Sequence, residues 1–248
     1  MSGHSKWKTN KHKKGIADAK RGQAFTKIAK IITIAAKEGG GNPDSNFKLR
    51  LAIEKGREVN MPKENVQRAI DRGVGNADGA SNYKEVVYEG FGPEGTAFIV
   101  DAATDNTNRT NAELKTLFSK NGGNMASSGA VAYLFDHVGY LFLEIEKNKI
   151  EEVMLTVMEE AGVLDVVEDK EGIDVYTQLD MLSAIRESLT AKGYNIKDGE
   201  LIFRAKNPIK IEDKNIIERL ISFSELIEEH DDVQKVHVNF EIDDEIFK

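Results

Sequence analysis

The apolar residues of this 248-residue chain change their spacing at one place, and that change limits the folds open to it. As far as Gly73 they recur at i, i+3, i+4 and i+7, the spacing of a helix with one buried face. Beyond Ser81 they form short runs rich in Val, Ile, Tyr and Phe, the pattern of strands. Between the two lies Gly73-Val-Gly-Asn-Ala-Asp-Gly-Ala-Ser81, which has the composition of a linker. A helical part joined to a mixed α/β part follows.

Three helices are expected in the first part. Ala17 to Glu38 places Phe25, Ile28, Ala29, Ile32, Ala35 and Ala36 on one stripe, and Gly39-Gly40-Gly41 stops it. Asn42-Pro43 reads as the N-cap and first turn of a second helix running to about Val59. Met61-Pro62 begins a third, with Val66, Ala69 and Ile70 inward and Arg68 and Arg72 outward.

In the second part, Tyr83–Glu89, Thr96–Ala103 and Ala130–Phe135 read as strands, with a helix over Asn108–Lys120. The succession from Gly139 to Arg204 is strand, helix, strand, strand, helix, strand, which is the ferredoxin-like order. A helix over about 213–229 and a strand over Val233–Phe240 have no partners in that unit. They complete the earlier ββαβ run if the unit is an insertion. The expected fold is α+β and multidomain: a basic three-helix domain with an N-terminal arm (1–73), a split α/β domain (82–136 with 207–240), and an inserted βαββαβ domain (137–206). Both α/β domains are read as ferredoxin-like.

Charge divides the chain in the same way. Residues 1–72 hold 17 Lys and Arg against 7 Asp and Glu, a net of +10, and the remainder holds 17 against 35, a net of −18. Within Gly3–Arg21 seven bases (Lys6, Lys8, Lys11, Lys13, Lys14, Lys20 and Arg21) face one acid, Asp18, and surround Trp7, the only tryptophan. Ammonium groups at that density cannot be buried without losing their hydration, and a polyanion is the partner that completes them. The expected nucleic-acid ligands are Lys6, Trp7, Lys8, Lys11, His12, Lys13, Lys14, Lys20, Arg21, Lys27, Lys30 and Arg109. Arg109 earns its place at the start of the helix that follows Thr104-Asp105-Asn106-Thr107-Asn108, where a phosphate would meet the helix N-terminus.

Other chemistry is poorly served. No cysteine is present, so disulfides and thiolate sites are excluded. The longest apolar run, Ala130–Phe135, is far below the roughly 18 residues of a membrane span, and no secretory h-region follows the basic N-terminus. A cytoplasmic protein is expected. Gly90-Phe91-Gly92-Pro93-Glu94-Gly95 matches G-x-G-x-x-G but joins two strands, where a dinucleotide site would need a strand and a helix. The five histidines lack metal-ligand spacing, and His230 and His237 read as surface residues. Asn121-Gly-Gly-Asn-Met-Ala-Ser-Ser-Gly129 is a polar loop suited to presenting backbone amides to a ligand. No nucleophile is paired with a base. The expectation is no enzyme, no cofactor and no metal.

Several ordered blocks resemble the YebC/PmpR family: Gly3-His4-Ser5-Lys6-Trp7, Asp18-Ala19-Lys20-Arg21-Gly22, Gly39-Gly40-Gly41-Asn42-Pro43, Asn60-Met61-Pro62-Lys63, Tyr88-Glu89-Gly90-Phe91-Gly92-Pro93, and Thr104 to Thr110. The resemblance implies an all-α first domain, two α/β domains one inside the other, and a regulator of gene expression. Family members are called transcriptional regulators, while mitochondrial relatives activate translation. The implied function is therefore DNA-binding regulation of transcription, with a ribosome- or rRNA-binding translation factor as the alternative. An acidic scaffold whose α/β domains bind protein is a third reading.

Overall fold

The computed structural model describes residues 18–75 and 82–242. Helix α1 (Asp18–Gly39) packs its apolar stripe on α2 (Phe47–Glu58) and α3 (Lys63–Gly73), and Ile32, Ala35, Ala36, Leu49, Ala52, Met61, Ala69 and Ile70 form the buried core. Gly40, at φ +83°, takes the left-handed conformation that ends α1. Gly73 is needed where α3 touches α1, since a Cβ there would lie 2.4 Å from the Thr33 carbonyl oxygen.

The start of α2 differs from the sequence expectation. Asn46, not Asn42, is the N-cap, its side-chain oxygen accepting from the Leu49 N–H at 3.0 Å. Its amide nitrogen donates to the carbonyls of Ala35 and Gly40, each at 2.8 Å, so one buried amide ties the end of α1 to the start of α2. Asn42 instead closes a turn on the Asp44 N–H, and Pro43 lies in that turn.

Four antiparallel strands follow in the order β3-β1-β2-β9: β1 (Lys84–Phe91), β2 (Ala97–Thr104), β3 (Asn124–Ala126) and, from the far end of the chain, β9 (Val233–Val238). Helices α4 (Thr107–Lys120) and α7 (Lys214–Glu228) cover one face, with Phe98, Phe118 and Phe223 packed edge to face at centroid distances of 5.0–6.2 Å. The expected strand over 130–135 is absent; Ala132–Leu134 is a 3-10 turn, and Val131 and Phe135 pack under the opposite face with Ala97 and Ile99.

The second sheet has the order β5-β6-β4-β7, from β4 (Phe135–Glu144), β5 (Val163–Asp169), β6 (Gly172–Thr177) and β7 (Asn195–Ala205). Helices α5 (Ile150–Met158) and α6 (Leu182–Ala191) lie over Leu141, Leu143, Val166, Ile173 and Val175. That order is the ferredoxin-like arrangement. Short β8 (Ile209–Ile211) and β10 (Phe240–Ile242) pair in parallel, so the last strand expected from 233 is two strands.

Candidate nucleic-acid interface

Of the expected ligands, Lys6, Trp7, Lys8, Lys11, His12, Lys13 and Lys14 lie outside the described residues. Lys20 enters the first turn of α1, with its side chain also outside them, and Arg21 is exposed beside it. The remaining three face the rest of the molecule.

Lys27 donates to the Glu228 carbonyl at the end of α7. Lys30, one turn on, donates to Asp232 Oδ1 at 2.6 Å and to the Asp231 carbonyl at 3.0 Å. Its ammonium also sits 5.6 Å from the Tyr83 ring centroid. Lys30 is only 7% exposed, which corrects its assignment as a phosphate ligand: a second anion would have to displace a buried carboxylate. Arg109 holds Asp232 Oδ2 and Asp105 Oδ1, each at 2.9 Å. One nitrogen, Nη2, thus holds both carboxylates where a phosphate was expected, and both contacts favour the charged guanidinium, holding its pKa above the usual value.

Asp232 organises this region. The chain leaves α7, turns through Glu229–Asp231, and enters β9 with the Asp232 carbonyl accepting from the Ala103 N–H at 2.8 Å. Burial opposes ionisation of Asp232, but hydrogen bonds from Lys30, Thr110 and Arg109 outweigh it and hold the carboxyl well below the usual range. The surrounding cleft, about 610 Å³, is lined by Thr26, Lys30, Tyr83, Arg109 and His230 among others. Glu113, His230 and Asp232 present donor atoms within 4.8 Å of one another. Asp232 has already committed both oxygens to Lys30, Arg109 and Thr110, and His230 Nδ1 accepts from the Asp232 N–H at 3.1 Å, so the trio is a hydrogen-bonded corner.

The glycine-rich loop after α4 turns its amides inward. Glu89, 6% exposed, accepts from the N–H groups of Gly129 at 2.6 Å and of Val131 and Ala132 at 2.8 Å. Burial works against this carboxylate, but the three amides prevail and lower its pKa. The loop is therefore fixed from beneath by an acid of β1.

A second charged centre has no signature in the sequence. Glu200 on β7 accepts from Lys55 of α2 and Lys235 of β9, which joins three separate parts of the fold at one carboxylate. Beside it His237, read from sequence as a surface residue, is 0% exposed. The Phe203 N–H donates to its Nδ1 at 3.3 Å, so Nε2 carries the proton and donates to Asp101 Oδ2 at 2.8 Å. His237 lies between Val236 and Val238 of β9, an alternation that reads as the outward face, and it is buried because the opposite face of this sheet is covered as well.

Two family models match the chain: one described as the TACO1/YebC protein N-terminal domain over residues 5–76, the other as the TACO1/YebC second and third domain over residues 83–240. A relative from Dictyoglomus turgidum, named "Probable transcriptional regulatory protein", is 45% identical over 248 residues, which span 100% of this chain and 99% of that one. A relative of the same name from Herpetosiphon aurantiacus is 47% identical, over 99% of this chain and 97% of its own. Among solved structures, a conserved hypothetical protein of Aquifex aeolicus, Aq1575, matches with a TM-score of 0.82 and 38% identity, over 93% of this chain and 94% of that chain.

Proposed function

The chain belongs to the TACO1/YebC family, and from that premise we propose that it is a nucleic-acid-binding regulator of gene expression, acting on DNA to control transcription. The observation that carries the reading is the segregation of charge, +10 over residues 1–72 against −18 over the rest. Lys27, Lys30 and Arg109 are engaged by the molecule's own carbonyls and carboxylates, so the contact to phosphate falls to the bases that precede them. Lysines act there as point charges on the backbone, giving affinity with little base readout. The acidic domains oppose indiscriminate adhesion to nucleic acid. We assign the domains as 1–73, 82–136 with 207–240, and 137–206, and place the protein in the cytoplasm without catalytic activity or cofactor. No helix among the described residues is long and apolar enough to cross a membrane.

A second reading, a ribosome- or rRNA-binding translation factor, is favoured by one feature. The single Trp7 stands among six lysines and only one arginine within Gly3–Arg21, a composition suited to stacking on unpaired bases while neutralising phosphate.

Removing residues 1–15 tests the shared part of both readings. With about five phosphates neutralised on duplex DNA, log K against log salt falls with a slope of roughly −4.5, and the truncated protein loses most of that slope. Equal affinity and equal slope before and after truncation would refute the role of the arm. Crosslinking in cells then decides between the readings: recovery chiefly of chromosomal DNA supports transcription, and recovery chiefly of rRNA supports translation.

A further inference from the structure

Helix α5 of the βαββαβ unit carries apolar side chains on the wrong side. It buries Ile150, Val153 and Val157, as an amphipathic helix should, yet Leu155 is 72% and Met158 47% exposed. Three residues apart, they share one outer stripe. Two further exposed side chains lie at the end of the unit where α5 stops: Leu164, 50% exposed, and Leu179, 40% exposed. Leu164 is the extra residue of a bulge in the edge strand β5, between Val163 and Asp165. Leu179 follows β6, held to the same corner by the Gln178 N–H donating to the Gly162 carbonyl at 2.8 Å. A lone exposed leucine is ordinary, but two on the outer stripe of α5 and two more where β5 begins and β6 ends are large apolar side chains that the rest of the unit leaves open to water.

The rim of this patch is acidic. Glu151, Glu152 and Glu159 lie within one turn of Leu155 or Met158 on the exposed face of α5, and Asp180 follows Leu179. Among the described residues none of these four carboxylates forms an ion pair. Of the nearby cations, Lys149 pairs with Glu146, and Lys192 pairs with Glu160 and is also attracted by Glu159. An apolar centre with a net acidic border selects against nucleic acid and against an acidic partner, and it complements a segment with apolar anchors flanked by cations.

We propose that the outer face of α5, with Leu164 and Leu179, is a protein-docking surface for a cationic amphipathic segment. Its leucine-like anchors cover Leu155 and Met158, and its lysines or arginines meet Glu151, Glu152, Glu159 and Asp180. Methionine and leucine suit such a site because they repack around differing anchors. The surface belongs to the βαββαβ unit, whereas the excess of positive charge is carried by residues 1–72, so the protein has one segment for a phosphate backbone and another for a protein.

The test uses the full chain and a synthetic 18-residue Leu/Lys amphipathic helix, with a Leu/Glu helix of equal length as the charge control, titrated by calorimetry. The Leu/Lys helix binds and the Leu/Glu helix does not. The double variant Leu155→Ser/Met158→Ser weakens binding about tenfold or more, as expected when anchors at the centre of a small interface are lost. The triple variant Glu151→Gln/Glu152→Gln/Glu159→Gln weakens it and flattens its salt dependence. Equal affinity for both helices, or unchanged affinity in the double variant, would overturn the proposal. So would sedimentation showing that this face joins two copies of the chain and that Leu155→Ser/Met158→Ser only separates them. Binding of duplex DNA by these variants is unchanged in every case, so the outcome is independent of the nucleic-acid reading.

Discussion

Lys30 and Asp232 meet at 2.6 Å across 202 residues of sequence, with side chains 8% and 5% exposed. This pair fastens the first helix to the turn before the last long strand, so the N-terminal basic domain and the C-terminal acidic segment are held together by a charge each could have spent elsewhere. Removing one member of a buried pair strands the other, which typically costs 3–5 kcal/mol. Arg109 and Thr110 still contact Asp232 in Lys30→Ala, so the expected loss is about 2–3 kcal/mol. Urea denaturation of the full chain measures it. A loss below about 0.5 kcal/mol, the level of an exposed pair, would mean that the contact does not hold the domains together.

Stability should depend on pH with two limbs of opposite sign. Asp101 is pushed up from its ordinary 3.8 to about 6, chiefly by burial and further by Glu200, with Lys235 and His137 opposing. A folded pKa above the unfolded one means the contribution is complete below about pH 4 and is lost as pH rises through about 6. Two units correspond to about 3 kcal/mol; because 31% of the side chain meets solvent, about 1–2 kcal/mol is expected. Asp232 acts in reverse: its lowered pKa contributes fully above about pH 4 and is lost as pH falls. For these two groups together, maximum stability therefore lies near pH 4. Asp101→Asn should flatten the limb between pH 4 and 7 in thermal denaturation, and a limb of the same height in that variant would disprove the assignment.

The glycine-rich loop supplies a third expectation. Glu89→Gln keeps one acceptor oxygen and places an amide N–H₂ against the backbone donors of Gly129, Val131 and Ala132. An unsatisfied buried donor costs about 1–3 kcal/mol, so the variant loses roughly that much. Hydrogen exchange should accelerate at Val131 and Ala132 while the amides of β2 stay protected. Uniform acceleration across the sheet would point instead to global destabilisation.

Much of the architecture was legible because its causes are local. The stripe from Phe25 to Ala36 makes α1 whatever surrounds it, and the run from Gly139 to Arg204 changes its period often enough to reveal each strand and helix. What escaped was decided by distant partners. Asn42-Pro43 has the look of a helix start, but Asn46 wins because it also satisfies the carbonyl of Ala35 in α1 and that of Gly40 just beyond it. Lys30 sits between Lys27 and Lys37 on what reads as a solvated face, and only the fold brings Asp232 to it. His237 looked exposed because a buried histidine needs partners, and those partners, Asp101 and the Phe203 N–H, stand 136 and 34 residues away. The bases before α1 are legible from composition alone, since clustered charge needs no fold to be recognised.

Trp7 separates simple charge neutralisation from base recognition. Lysines in the arm neutralise phosphate on any strand, so they alone give similar affinity for single-stranded and duplex probes once salt dependence is matched. An indole adds affinity only where a base is unpaired, because stacking needs an open π-face. Trp7→Ala should therefore weaken binding to a single-stranded RNA by about 1–3 kcal/mol while leaving duplex DNA within a few tenths. Fluorescence anisotropy with both probes at one salt concentration reads the difference, and intrinsic tryptophan fluorescence reports it directly, since the chain has only one tryptophan. Quenching on single strands alone favours the translation reading, whereas equal small losses on both probes leave the arm as a charge device and favour regulation on DNA.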